Sequence, residues 1–333
     1  MKAFLGIAMA LFVIAVASPA SAIGFDYFTI PDSTGRPIEV GIWYPSKAQA
    51  APTTIGMIAQ SVAVAGAVDG EKLPVVIFSH GNVGWYGDRS DTATLLSENG
   101  LVAVSLTYPG DNYKDSSDRI KRWLIDRPIV TSQVLDYVLN VWRGHEHLDK
   151  DAVGFYGFSA GAYTGLVELG GEPDWTLFAQ HCVGHPDEMI CKQGGAAYLS
   201  GPQAAALPRS TWHHDQRIKA AVLVASAFAF AFDPGTLGKI TAPVELWGGS
   251  RDANVSFAST VPYLQEHLSN VSAVHEVANA KHYSFLRPCS EALKAKNLET
   301  CIDEPGFDRA TFQKTFDSDV LSFFQAKLRS GTR

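Results

Sequence analysis

The chain has 333 residues, 46% of them hydrophobic, and a formal net charge of −7 at pH 7. That is enough apolar material to fill a substantial core. The acidic balance argues against nucleic acid or an anionic membrane surface as partner.

The N-terminal residues read as an export signal. After Lys2 an unbroken apolar run extends from Ala3 to Ala17, followed by Ser18, Pro19 and the small residues Ala20-Ser21-Ala22, the A-x-A pattern of a signal-peptidase site. Cleavage is expected after Ala22. The run is shorter than the roughly 18 to 20 apolar residues of a spanning helix. No other segment suits a bilayer, so the mature chain is expected to be periplasmic or secreted, without stable membrane insertion. Residues 23–333 then suit one α/β domain carrying insertions.

Phe25 to Ile30, a turn at Pro31-Asp32-Ser33-Thr34-Gly35, and Ile38 to Tyr44 predict a β-hairpin. Residues 46–70, rich in Ala, Gly and Ser, predict a surface loop. Pro74–Phe78 and Leu101–Leu106 are apolar without alternation, as strands buried on both faces of a parallel sheet are. Between them Asp91–Asn99 has helical spacing closed by Gly100. The alternation continues with a helix from about Pro128 to Trp142, a strand at Ala152–Tyr156, a helix at about Ala160–Leu169 and a strand at Ile218–Ala225. A strand at Val244–Trp247, a helix around Val261–Leu268 and a strand at Ala273–Val277 follow. Strands alternating with helices point to a mostly parallel sheet covered on both sides.

The segment Gly170–Gln216 breaks this rhythm, carries Cys182 and Cys191, and is expected to be a cap-like insertion tied by a disulfide. The four cysteines of the exported chain suggest two disulfides. Spacing favours Cys182 with Cys191 and Cys289 with Cys301, although the sequence leaves three connectivities open.

Gly157-Phe158-Ser159-Ala160-Gly161 is a G-x-S-x-G motif between a predicted strand and a predicted helix, the setting of a nucleophile elbow. A serine hydroxyl is a poor nucleophile at neutral pH and needs a base and an orienting acid, which follow in the order acid, then histidine. His282, just after the last strand, is the expected base. His80, His145, His147, His181, His185, His213 and His214 read as solvated loop residues, and His267 and His275 as structural. Asp252, in the turn after Val244–Gly249, is the expected acid, and its rival is Asp233. The oxyanion donors are expected at the backbone N–H groups of Ala160 and Asn82, the latter in the turn Phe78–Gly84. Trp85, Tyr86 and Tyr113 are candidates for an apolar acyl or aryl pocket. A metal site at His181, Cys182 and His185 has helical spacing, but Gly184, Pro186 and the cysteine pairing oppose it.

These residues resemble the predicted dienelactone hydrolase and platelet-activating-factor acetylhydrolase group of the α/β-hydrolase superfamily. The resemblance rests on Ile42-Trp43-Tyr44-Pro45, Phe78-Ser79-His80-Gly81, Tyr108-Pro109-Gly110, Arg127-Pro128, Gly157 to Gly161, and the segments bearing Asp252 and His282. They are spread in order over most of the mature chain. The resemblance implies an α/β-hydrolase fold and a Ser-His-Asp esterase for a small-molecule ester, with no metal and no cofactor. The sequence departs from small dienelactone hydrolases in having Ser159 where those commonly have Cys, and in its signal, insertion and cysteine pairs. Peptidase or amidase activity with the same residues is the alternative, because the acyl-enzyme chemistry is shared.

Overall fold

A computed structural model of the protein describes residues 22–117, 120–192, 196–208, 211–296 and 298–329. The expected signal segment lies outside these residues apart from Ala22.

The chain opens with β1 (Ala22–Pro31) and β2 (Pro37–Ser46), an antiparallel pair that places Ile30 opposite Ile38. The Asp32 carboxylate closes the turn by accepting from the backbone N–H groups of Thr34 and Arg36 at 2.8 and 2.9 Å. The stretch expected to be a loop instead holds a second hairpin, β3 (Ala51–Ile55) and β4 (Ile58–Val64), and β4 continues the sheet by pairing parallel to β1. Its small polar composition hides the few residues that dock it: Ile55, Ile58 and Val62 are buried in the same apolar cluster as Phe25, Trp43 and Trp85.

Next come β5 (Leu73–Ser79), α1 (Ser90–Glu98), β6 (Val102–Thr107), α2 (Ile120–Asn140), β7 (Leu148–Phe158) and α3 (Ala160–Glu168). Every residue of β5 and β6 is buried, which is why neither strand shows alternation. Helix α2 starts at Ile120 rather than near Pro128, so the proline lies inside it. A proline has no N–H for the carbonyl four residues back. Here that carbonyl, of Leu124, accepts from the Tyr163 hydroxyl at 3.4 Å, so the helix loses a bond without burying an unpaired oxygen.

The inserted segment folds into short helices, α4 (Trp175–Gly184), α5 (Met189–Lys192), α6 (Ala196–Leu199) and α7 (Pro202–Ala205). Beyond it lie β8 (Ile218–Val224), α8 (Pro234–Leu237), β9 (Val244–Gly249), α9 (Phe257–His267), β10 (Val271–Val277), α10 (Glu291–Lys294) and α11 (Arg309–Leu328). Helix α11 extends past the last expected element. Asp308 caps it by accepting from Thr311 N–H at 3.1 Å, and Phe316, Val320, Phe323 and Phe324 recur on its buried side.

Ten strands of the described residues form one sheet in the order β10-β9-β8-β7-β5-β6-β2-β1-β4-β3. The run from β10 to β6 is parallel, and the N-terminal hairpins extend it with mixed pairing. The apolar core of one sheet face is closed by α2, α3 and α9, that of the other by α1 and α11. This is the covered, mostly parallel α/β sheet that the strand and helix alternation implied. All of the parallel strands deliver their C-terminal ends to the same edge, where ligands of open α/β sheets bind. Cys182 is bonded to Cys191 and Cys289 to Cys301, the pairing favoured by their spacing.

Candidate active site

Ser159 sits in the turn between β7 and α3. Its φ of 55° and ψ of −113° are unusual for a side-chain-bearing residue, and such strain persists only where the surroundings impose it. The surroundings are close. A β-carbon on Gly157 would lie 2.4 Å from the Gly161 carbonyl oxygen, and one on Gly161 would lie 2.0 Å from the Ser79 carbonyl oxygen. The flanking glycines therefore let the elbow press against both itself and the end of β5. Ser159 N–H donates to Val224 O at 2.8 Å, tying the turn to β8.

His282 lies on a single 3₁₀ turn, His282–Phe285, just after β10, and Asp252 lies just after β9. The structure brings all three side chains together: His282 Nε2 is 3.0 Å from Ser159 Oγ, and His282 Nδ1 is 2.7 Å from Asp252 Oδ2. Both contacts are satisfied at once when Nδ1–H donates to the carboxylate and Nε2 accepts from the serine hydroxyl. Asp252 is itself fixed, because its other oxygen accepts from the backbone N–H groups of Asn254 and Val255 at 2.9 and 2.8 Å. The Ser159, His282 and Asp252 residues are 9%, 6% and 7% exposed, so the charges formed during proton transfer would be only weakly screened by water. Asp233, the rival acid, is instead the cap of α8, accepting from Thr236 N–H at 3.1 Å.

The turn after β5 abuts the serine. A β-carbon on Gly81 would lie 3.5 Å from the Ser159 β-carbon. Ala160 is the first residue of α3, so its N–H has no acceptor within that helix. Asn82 is exposed, and its side-chain amide donates to Asp111 Oδ1 at 2.6 Å. His80, expected to be solvated, is buried instead. Burial and then the neighbouring Arg127 charge push its pKa down to about 3, so the ring is neutral. Its Nδ1 is 2.6 Å from Gly81 O and its Nε2 accepts from Tyr108 N–H at 3.2 Å. It is a structural link between β5 and the loop after β6.

The three aromatic residues expected at the mouth gather against the first hairpin. Trp85, Tyr86 and Tyr113 line a hollow of about 330 Å³ together with Phe25, Tyr27 and Glu39 of the first hairpin. They are drawn there by packing: the Tyr86 ring rests on Gly41, whose missing β-carbon would come within 2.7 Å of it, and the Trp85 ring covers Gly56. The ring beside the base is Phe158, whose centroid lies 4.9 Å from that of His282, and the segment after β8 carries further aromatics that sequence reasoning left unassigned. Ala227 N–H donates to Ser159 O at 3.3 Å, and the adjacent Phe228 and Phe230 pack against the insertion through Trp175, Phe178 and His181. The signal for them was the run Phe228 to Phe232 directly after a strand of the parallel sheet. His181 pairs with Glu188 at 2.9 Å and Cys182 is consumed in a disulfide, so the spacing of His181, Cys182 and His185 serves the fold of the insertion.

No protein-family model matches the chain, and no curated protein matches it significantly. Among solved structures it is similar to a ferulic acid esterase from Streptomyces cinnamoneus, with a TM-score of 0.62 and 14% sequence identity over 94% of this chain and 93% of that one. The likeness spans nearly the whole of both chains and identifies the fold as that of the α/β-hydrolases.

Proposed function

We propose that the protein is a serine hydrolase that cleaves carboxylic esters through an acyl-enzyme intermediate on Ser159. The observation that carries this reading is the continuous chain of contacts from Ser159 Oγ to His282 to Asp252, at 3.0 and 2.7 Å. His282 takes the serine proton as Oγ attacks the ester carbonyl, then returns it to the leaving alcohol, and in the second half activates the water that releases the acid. Asp252 holds the tautomer and steadies the imidazolium. The backbone N–H groups of Ala160 and Asn82 receive the oxyanion.

The esterase activity named for the Streptomyces cinnamoneus structure supports the ester reading over cleavage of amides. The motifs quoted from this sequence support a reading as a dienelactone hydrolase and platelet-activating-factor acetylhydrolase-like enzyme, acting without metal or cofactor on a small-molecule ester. We read residues 23–333 as one catalytic domain with a cap at 170–216, exported behind a signal at 1–22, and the two disulfides suit an oxidising compartment. Among the described residues no helix is long and apolar enough to cross a membrane.

The test is hydrolysis of p-nitrophenyl esters of increasing acyl length, with the matching anilides alongside. Wild-type protein is expected to turn over the esters, and Ser159→Ala to lose at least about 10⁴-fold in kcat while its circular dichroism is unchanged. Full activity in that variant, or turnover of anilides alone, overturns the reading.

A further inference from the structure

Behind the turn that abuts Ser159 lies a buried ion pair outside the Ser159, His282 and Asp252 constellation. Arg127, on α2, is 1% exposed and Asp111, after β6, is 2% exposed. Arg127 Nε and Nη2 approach Asp111 Oδ2 at 2.9 and 2.7 Å, and the guanidinium lies 4.3 Å from the Tyr108 ring centroid. Burial raises the Asp111 pKa, but the Arg127 and other favourable interactions outweigh it, and the carboxyl is held below its ordinary value.

The pair is addressed to the backbone of one loop. Arg127 Nη1 donates to His80 O at 2.7 Å and Nη2 to Gly81 O at 3.1 Å. Asp111 Oδ1 accepts from Val83 N–H at 3.0 Å and from the Asn82 side chain at 2.6 Å. In a planar trans peptide the carbonyl and the following N–H point in opposite directions. With the Gly81 carbonyl held toward Arg127, the Asn82 N–H is forced to the side away from the guanidinium. If that peptide rotated, an oxygen would take the place of the N–H and repel the negative charge that the donor is meant to receive.

We infer that Arg127, braced by Asp111, is the positioning residue of the oxyanion site: it prevents the Gly81–Asn82 peptide from turning over and so keeps the Asn82 N–H available to the substrate oxygen. This rests on the hydrolase reading above. A guanidinium suits the task because its planar fork spans two successive carbonyls and a carboxylate at once, whereas a lysine ammonium is a single point charge.

The experiment compares wild type, the charge-conserving Arg127→Lys and the near-isosteric Asp111→Asn, using p-nitrophenyl acetate turnover and inhibition by an alkyl trifluoromethyl ketone. That ketone forms a serine hemiketal whose oxygen occupies the oxyanion position. Loss of one oxyanion donor typically lowers kcat by about 10²–10³. The expected result is a fall in kcat of about 10²-fold in Arg127→Lys, a KM within about threefold of wild type, and a ketone inhibition constant raised in step with the loss in kcat/KM. Asp111→Asn is expected to follow in the same direction.

Folded variants with kcat near wild type overturn the inference, as does a loss confined to KM with ketone affinity unchanged. Failure of both variants to show a cooperative native melting transition also overturns it, by making the pair a folding element. A wild-type protein that hydrolyses no ester sinks the hydrolase reading instead.

Discussion

His282 Nε2 lies 3.0 Å from Ser159 Oγ across 123 residues of sequence, and the imidazole is held by what lies behind it. The 3₁₀ turn that carries it is gripped by Gln313 of α11, whose amide donates to Ser284 O at 2.8 Å and Leu286 O at 3.2 Å. The Gln313 side-chain oxygen accepts from Arg89 at 2.6 Å, and Arg89 also donates to Phe285 O and pairs with Asp317 at 2.5 Å. The geometry of the base is thus set by a helix far from it in sequence.

Substituting Gln313→Leu removes both amide contacts while roughly keeping the volume. The expected outcome is a fall in kcat of about 10- to 100-fold on p-nitrophenyl acetate, since misplacement of a reacting group by about 1 Å can cost about 10²-fold. Stability should fall by about 1–3 kcal/mol, because buried groups lose their partners. Unchanged kcat in the folded variant would show that the turn holds its shape without α11.

Asp252→Asn is expected to keep the fold and lower kcat by about 10⁴-fold. Asparagine retains the shape of the carboxylate but no longer fixes the productive imidazole tautomer or offsets its charge. Steady-state ester hydrolysis reads the effect. A loss of less than about tenfold would move the orienting role elsewhere.

Both disulfides close short loops, with sequence separations of 9 and 12 residues. Chain-entropy arguments assign each about 2–3 kcal/mol. Urea unfolding of Cys289→Ala/Cys301→Ala should show a loss of that size with an altered midpoint. Reduction of the wild-type protein, which opens both disulfides, should shift the midpoint further in the same direction.

Glu168, at the end of α3, is buried beside Ser132 and Asp215. Burial, then the nearby Asp215, raises its pKa well above the carboxylate range. A raised folded-state value means that the folded protein keeps the proton where the unfolded chain has lost it. The contribution to stability is therefore complete below the unfolded pKa and erodes as pH rises toward the folded one. Glu168→Gln removes that erosion. Its melting temperature is expected to exceed that of wild type at pH 8 and to converge with it at pH 4, as read by thermal unfolding across that range. A constant difference at every pH would place the titration elsewhere.

The legible part of the site was the part encoded locally. Gly157 to Gly161 announces a bend too tight for side chains, and strand ends after Val244–Gly249 and Val271–Val277 supply Asp252 and His282 in the expected order. The hairpin at residues 51–64 was not legible, since its alternation is carried by only Ile55, Ile58 and Val62 amid Ala, Ser and Thr. Nor was the early start of α2, because an interior proline reads as a boundary unless the freed carbonyl of Leu124 is seen to find Tyr163.

By itself the sequence determined the central strands and their helices, the order of these elements and the residue types able to do the chemistry, because strand and helix periodicity and turn stereochemistry are properties of neighbouring residues. Only the tertiary structure decided which side chains share a space. It moved Trp85, Tyr86 and Tyr113 onto the N-terminal hairpin, packed Phe228 and Phe230 against the insertion, and aimed Arg127 at the carbonyls of His80 and Gly81. Those placements depend on close packing between segments far apart in the chain, which no local pattern records.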